Sequence, residues 1–140
     1  MTNMGYGYPP ILAIDFDGTI KKSGELNDYD SELNEGCKEV LIELKKRGCK
    51  LILWTCRDGE YLEKAKEYLA KHGILHLFDA FNENTQEAFT TSNKIYADYY
   101  IDDLTLEGFP GWSYACGIVF QDPYFNDNEI HEEYTIIRED

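Results

Sequence analysis

The chain has 140 residues, and its 14% of aromatic residues excludes an intrinsically disordered protein. Its 13 basic and 27 acidic residues give a net charge of −14, which disfavours binding to nucleic-acid backbones and anionic membranes. The sequence has neither an apolar run of the roughly 18 residues that a membrane span requires nor a signal-peptide pattern at its start, so we expect one cytoplasmic domain over residues 1–140.

The first half of the chain alternates between short apolar runs and helical patterns. Residues 10–14 form an apolar run that predicts a buried strand, and the polar residues from about 21 to 31 predict an exposed loop or a small hairpin. A helix is predicted from Asn34, which can cap it, to Gly48, which ends it. Residues 50–55 then predict a second buried strand.

The second half begins with the same alternation. Residues 58–73 carry an apolar stripe at helical spacing, and residues 74–81 predict a turn into a short strand. A polar loop over residues 82–92 leads to a third buried strand at residues 96–101. Residues 115–120 are compatible with a further strand, and the acidic tail could be helical or irregular. Alternating strands and helices predict an α/β sandwich with a central, mainly parallel sheet.

Polar residues with reactive side chains follow directly after each of the three buried strands. They are Asp15 and Asp17 after the first strand, Thr55 and Arg57 after the second, and Asp102 and Asp103 after the third. Because chemistry in open parallel sheets gathers at the carboxyl ends of the strands, we expect these side chains to lie close together.

A group of four carboxylates requires a nearby cation, because like charges a few ångströms apart oppose ionisation. Their oxygens suit Mg²⁺, which would also supply the positive charge that attracts a phosphate group. The spacing of Asp15 and Asp17 directs both carboxylates to one side of an extended segment, so one can attack phosphorus while the other handles a proton. Thr55 offers a hydroxyl and its own N–H to a phosphate oxygen, and Lys94 offers a positive charge.

These residues resemble the four motifs of the haloacid-dehalogenase superfamily, in the order of that family. The corresponding segments are Asp15-Phe16-Asp17-Gly18-Thr19, Thr55, Lys94 and Asp102-Asp103. The resemblance covers about residues 11–104. The segments 53–57, 101–103 and 108–112 also look like a small group of bacterial and phage hydrolases, some of which are linked to polysaccharide biosynthesis.

The resemblance implies a Rossmann-like three-layer α/β/α core and a Mg²⁺-dependent phosphatase. Asp15 would attack phosphorus and form an aspartyl-phosphate, while Asp17 would protonate the leaving oxygen and later activate water. Mg²⁺ would be held by the Asp15 carboxylate, the Asp17 backbone carbonyl and Asp102, with Asp103 acting behind them or through water.

The same resemblance assigns the phosphate-binding residues. Thr55 and Lys94 would hold the nonbridging oxygens of the phosphate in the transition state. Arg57 has two open interpretations, a contact with the phosphate or a structural salt bridge.

The gaps between the motifs indicate that a cap domain is absent. Residues 20–50 and 58–93 are already filled by the predicted elements, so we expect an open site, with residues 21–31 as a small flap. The resemblance implies that capless members act on large substrates or cover the site by forming homo-oligomers. We expect a small phosphorylated metabolite, such as a sugar phosphate or a nucleotide, as the substrate. The alternatives are a macromolecular substrate or a non-catalytic binding domain, and the intact motifs speak against the last.

Overall fold

The computed structural model describes residues 9–85, 95–104, 108–122 and 125. The elements, in chain order, are β1 (Ile11–Ile14), α1 (Cys37–Lys46), β2 (Lys50–Leu53), α2 (Gly59–Lys71), a 3₁₀ turn (Leu75–Leu77), β3 (Ala80–Phe81), β4 (Tyr99–Ile101) and α3 (Trp112–Val119). Among the described residues, no helix is both long and apolar enough to cross a bilayer.

The four strands form one parallel sheet in the order β3-β2-β1-β4. Central strand β1 is fully buried, with Leu12 and Ile14 packed in a larger hydrophobic cluster and Ile11 and Ala13 in a smaller one. Because side chains alternate across a strand, the two clusters cover opposite faces of the sheet. Burial of both faces is what a three-layer α/β fold requires, and the predicted fold class is confirmed.

The larger cluster contains the apolar sides of all three described helices. Leu41 of α1, Tyr68 of α2 and Trp112 of α3 are each nearly or fully buried in it. α2 begins after Asp58, as its apolar stripe predicts. The smaller cluster includes Ile52 of β2.

A buried charge connects the end of α1 to the sheet. The Lys45 ammonium is 2.7 Å from Asp79 Oδ2 and 3.1 Å from the Cys49 carbonyl oxygen. The same Asp79 oxygen accepts the Leu51 N–H at 2.8 Å. Asp79 directly precedes β3, and its carboxylate therefore connects the start of β3 to α1 and β2.

Four element predictions differ from the structure. β2 ends at Leu53 and not at residue 55. Residues 115–120 are not a strand, because they lie within or directly after α3, where Trp112, Ala115 and Val119 are buried at helical spacing. Asn34 does not cap α1, which begins after Gly36. β4 is shorter than the predicted strand because the Asp98 carboxylate, rather than another strand residue, accepts the Ile11 N–H at 2.7 Å.

Some predictions concern residues that the structure does not describe. Residues 86–92 of the predicted polar loop and most of the acidic tail lie outside the described residues. The absence of a cap and the single-domain organisation therefore stay predictions.

Candidate active site

The carboxyl ends of β1 and β4 bring three acidic residues together. Ile14 and Ile101 are register partners, and the Asp15 N–H donates to the Ile101 carbonyl oxygen at 2.9 Å. Asp15 and Asp102 therefore leave neighbouring strands at the same level, and Asp103 follows directly. One carboxylate oxygen of each of these aspartates lies within 4.8 Å of the other two. We call this group the Asp cluster.

The Asp cluster concentrates negative charge in a half-buried place. Burial, followed by the Asp102 charge and a hydrogen bond with Asp103, raises the pKa of Asp15 from 3.8 to about 7. Ionising Asp15 is therefore costly without a nearby cation. Three carboxylate oxygens at this separation form a ligand set that suits a hard divalent cation.

Gly18 allows the close approach of Asp103 to the loop after β1. Its φ of 78° lies in the left-handed region, and a Cβ atom there would collide with the Asp103 carboxylate. The Thr19 hydroxyl donates to Asp15 Oδ2 at 3.5 Å. A side chain at position 18 would therefore disturb both the loop and the Asp cluster.

Two polar side chains donate hydrogen bonds to backbone carbonyl oxygens of the same loop. The Trp112 indole N–H donates to the Thr19 carbonyl oxygen at 3.0 Å, and the Asn34 amide donates to the same oxygen at 2.8 Å. Asn34 also donates to the Gly18 carbonyl oxygen at 3.2 Å. This use of Asn34 explains why it is not available as a helix cap.

Asp17 faces two cations. Its Oδ2 accepts Arg57 Nε at 2.8 Å, and its Oδ1 accepts Arg57 Nη2 at 2.7 Å and lies 3.4 Å from Lys21 Nζ. The Asp17 carboxylate is not part of the Asp cluster, within the described part of the chain. The ligand role that the resemblance assigns to Asp17 uses its backbone carbonyl and stays a prediction.

Arg57 forms the salt bridge that was one of its two interpretations. Its Nη1 donates to the Tyr29 hydroxyl at 2.8 Å and to the Tyr61 carbonyl oxygen at 3.2 Å, and its Nη2 donates to the Leu26 carbonyl oxygen at 2.6 Å. With the two bonds to Asp17, all five guanidinium N–H groups have acceptors in the protein. A phosphate contact would have to break one of these bonds.

Thr55 stands at the end of β2, where Asn82 fixes its backbone. The Thr55 N–H donates to Asn82 Oδ1 at 2.8 Å, and its hydroxyl oxygen accepts the Arg57 N–H at 3.2 Å. The N–H is thus already engaged, contrary to the role predicted for it, while the hydroxyl keeps its own hydrogen to donate. Lys94, the other predicted phosphate ligand, lies outside the described residues.

Asn82 is a site residue that the sequence reasoning missed. It follows β3 directly with a φ of 56°, and its side-chain amide donates to the Arg57 carbonyl oxygen at 3.1 Å. Asparagine tolerates this left-handed conformation better than most residues. Its place after a strand, at the edge where the other site residues gather, is the signal that could have found it.

Comparison with solved structures gives a relative that bears on the fold. No protein-family model and no curated protein matched the sequence. Among solved structures, the chain is similar to a conserved protein from Bacteroides thetaiotaomicron, with 32% sequence identity and a TM-score of 0.68. The match covers 80% of this chain and 90% of that protein's chain.

Proposed function

We propose that this chain, which belongs to the same family as the conserved Bacteroides thetaiotaomicron protein, is a Mg²⁺-dependent phosphatase of the haloacid-dehalogenase superfamily. The observation that carries the proposal is the Asp cluster at the carboxyl ends of two adjacent parallel strands. A ligand set for a hard cation, with a carboxylate nucleophile in it and a second carboxylate two residues later, supports phosphoryl transfer through Asp15.

The Asp cluster fits Mg²⁺ by its chemistry. Asp15, Asp102 and Asp103 would hold the ion, because each offers a hard carboxylate oxygen and their mutual repulsion is relieved by a cation. The raised pKa of Asp15 supports this view, because burial and the neighbouring carboxylates disfavour an uncompensated charge there. When bound, the ion supplies positive charge that offsets the charge of the phosphate group.

The chain's own residues would then carry two steps. The Asp15 carboxylate attacks phosphorus, the P–O bond to the leaving oxygen breaks, and protonated Asp17 gives its proton to that oxygen, which departs as the alcohol. Water next attacks phosphorus of the aspartyl-phosphate while the Asp17 carboxylate takes a proton from that water. The bond between phosphorus and the Asp15 oxygen breaks, which releases phosphate and restores both Asp15 and protonated Asp17. The Thr55 hydroxyl is placed to donate to a phosphoryl oxygen, and Lys94 remains the expected source of additional positive charge.

The substrate that we propose is a small phosphorylated metabolite, such as a sugar phosphate or a nucleotide. The net charge of −14 supports this choice over a nucleic-acid end, because a polyanion would be repelled over its whole length.

Hydrolysis of a generic aryl phosphate with and without Mg²⁺ tests the proposal. We expect wild-type turnover that requires Mg²⁺, and a loss of about 10³-fold or more in Asp15→Asn, as when other enzymes lose their nucleophile. Glu67→Gln, which removes an exposed carboxylate from α2, is the matched control and should retain full activity. Metal-independent turnover, or substantial activity in Asp15→Asn, would overturn the proposal.

A further inference from the structure

We call residues 22–33 the flap, in place of the predicted residues 21–31, because Lys21 is fully buried. Hydrogen bonds attach the flap to the rest of the protein. None of these residues is buried. The half-buried Tyr29 and Leu33 pack against the larger hydrophobic cluster, whereas the tip at residues 24–28 has little apolar packing to fix its position. One of its contacts is with α2, where the Tyr68 hydroxyl donates to the Ser31 carbonyl oxygen at 2.7 Å. The contacts near its tip come from two buried cations.

Each of these two cations contacts both the flap and Asp17. Arg57, which is 4% exposed, binds both Asp17 oxygens and also donates to the Leu26 carbonyl oxygen at 2.6 Å. Lys21, which is fully buried, lies 3.4 Å from Asp17 Oδ1 and donates to the carbonyl oxygens of Glu25 and Asp28 at 2.5 and 3.1 Å.

We propose that Arg57 and Lys21 are positioning residues that couple the folded-down flap to the placement of the Asp17 carboxylate. The inference rests on the proposed function, in which Asp17 transfers the protons. When the flap lifts, its carbonyl oxygens move away from the two buried cations, and the N–H donors of these cations lose their acceptors. The cations then shift, and Asp17 loses its orientation. Asp17 is therefore oriented for proton transfer while the flap makes these contacts.

The planar guanidinium of Arg57 links the orientation of Asp17 to the positions of its acceptors in the flap. The guanidinium is planar, so its two bonds to Asp17 fix its plane, and that plane sets where the donors toward Leu26 and Tyr29 point. A lysine could keep the charge but could not make all of these contacts together. A structural salt bridge alone would stabilise the fold without affecting one chemical step more than another.

Kinetics on two phosphate esters tests the positioning role. We expect Arg57→Gln to slow single-turnover formation of the intermediate at least about tenfold more for an alkyl phosphate than for a nitrophenyl phosphate, because only the alcohol needs a proton to leave. In an Asp17→Asn background, Arg57→Gln should cause little further loss, since the two residues act as one unit. Equal losses on both esters, or losses that add fully to those of Asp17→Asn, would overturn the positioning role.

Lys45→Gln is the matched control. Lys45 is also 4% exposed and also bridges a carboxylate and a carbonyl oxygen, but its partners Asp79 and Cys49 lie outside the site. It should lower stability without changing the ratio of rates on the two esters. If Arg57→Gln does not fold, Arg57→Lys should show the same selective loss.

Hydrogen exchange tests the coupling without activity. We expect amides of residues 25–29 to exchange about tenfold faster or more in both Arg57→Gln and Asp17→Ala, because each removes part of the shared network. Unchanged exchange in either variant would overturn the coupling. If the wild type hydrolyses no phosphate ester, the proposed function fails by itself, and exchange still decides whether the flap and Asp17 are coupled.

Discussion

The fold disfavours ionisation of Asp15, whereas the proposed chemistry requires the ionised Asp15 carboxylate as nucleophile. In the folded chain its pKa is raised from 3.8 to about 7, first by burial and then by Asp102 and Asp103. The folded state thus binds a proton on Asp15 more tightly than the unfolded state does. In the metal-free protein, the stability that Asp15 contributes is fully present below about pH 4 and is lost as the pH rises through about 7.

This conflict predicts how Asp15→Asn changes the melting temperature of the metal-free protein. An amide resembles the protonated carboxyl in shape, so the variant and the wild type should melt together near pH 4. The variant should become progressively more stable than the wild type as the pH approaches 7. Melting curves in the presence of a chelator measure the difference, and added Mg²⁺ should narrow it. A difference that does not depend on pH would contradict the raised pKa.

At the scale of elements, the contact between Lys45 and Asp79 joins α1 to β2 and β3. Asp79→Ala would leave the buried Lys45 ammonium and the Leu51 N–H without this acceptor. We expect it to lower the free energy of unfolding by on the order of 3 kcal/mol, which is usual for a buried pair that loses one partner. Denaturant unfolding measures the loss, and Asp30→Ala should change stability by less than about 0.5 kcal/mol. Similar effects of the two substitutions would show that the buried pair is not important for stability.

The element scale also shows which parts of the molecule can be predicted from sequence. The strand β1, the helix α2 and the gathering of Asp15 with Asp102 follow from local patterns and from the geometry of parallel sheets. The strand predicted at residues 115–120 was wrong, because a short apolar run does not distinguish a strand from a buried helix segment.

Other contacts could not be predicted because they depend on tertiary structure. The bond from Arg57 to Asp17 joins residues 40 positions apart, and no local pattern encodes it. Asn82 reaches Thr55 because β3 pairs with β2, a pairing that the weak apolar stretch before Asn82 does not specify. In both cases the sequence shows the chemical type of the side chain but does not identify the residue that it contacts.

At the scale of the whole molecule, the net charge of −14 acts on every charged ligand. Added salt shortens the range of this field, from about 30 Å at 0.01 M to about 8 Å at 0.15 M ionic strength. We expect kcat/KM for an anionic phosphate ester to rise by a factor of about 2–5 over this range at saturating Mg²⁺, while Mg²⁺ binding itself weakens. Initial rates and Mg²⁺ titrations measure the two effects. A fall in kcat/KM would show that local positive charge at the site outweighs the global field.

The central claim is that Asp15 is the nucleophile, and chemical trapping of the intermediate tests it most directly. The reaction is run with Mg²⁺, quenched with acid and treated with borohydride. Borohydride reduces an aspartyl-phosphate to homoserine, and mass spectrometry locates the homoserine in the chain. We expect homoserine at position 15 in the wild type and in the more slowly hydrolysing Asp17→Asn, and none in Asp15→Asn. Turnover without this product, or the product at another aspartate, would contradict the account.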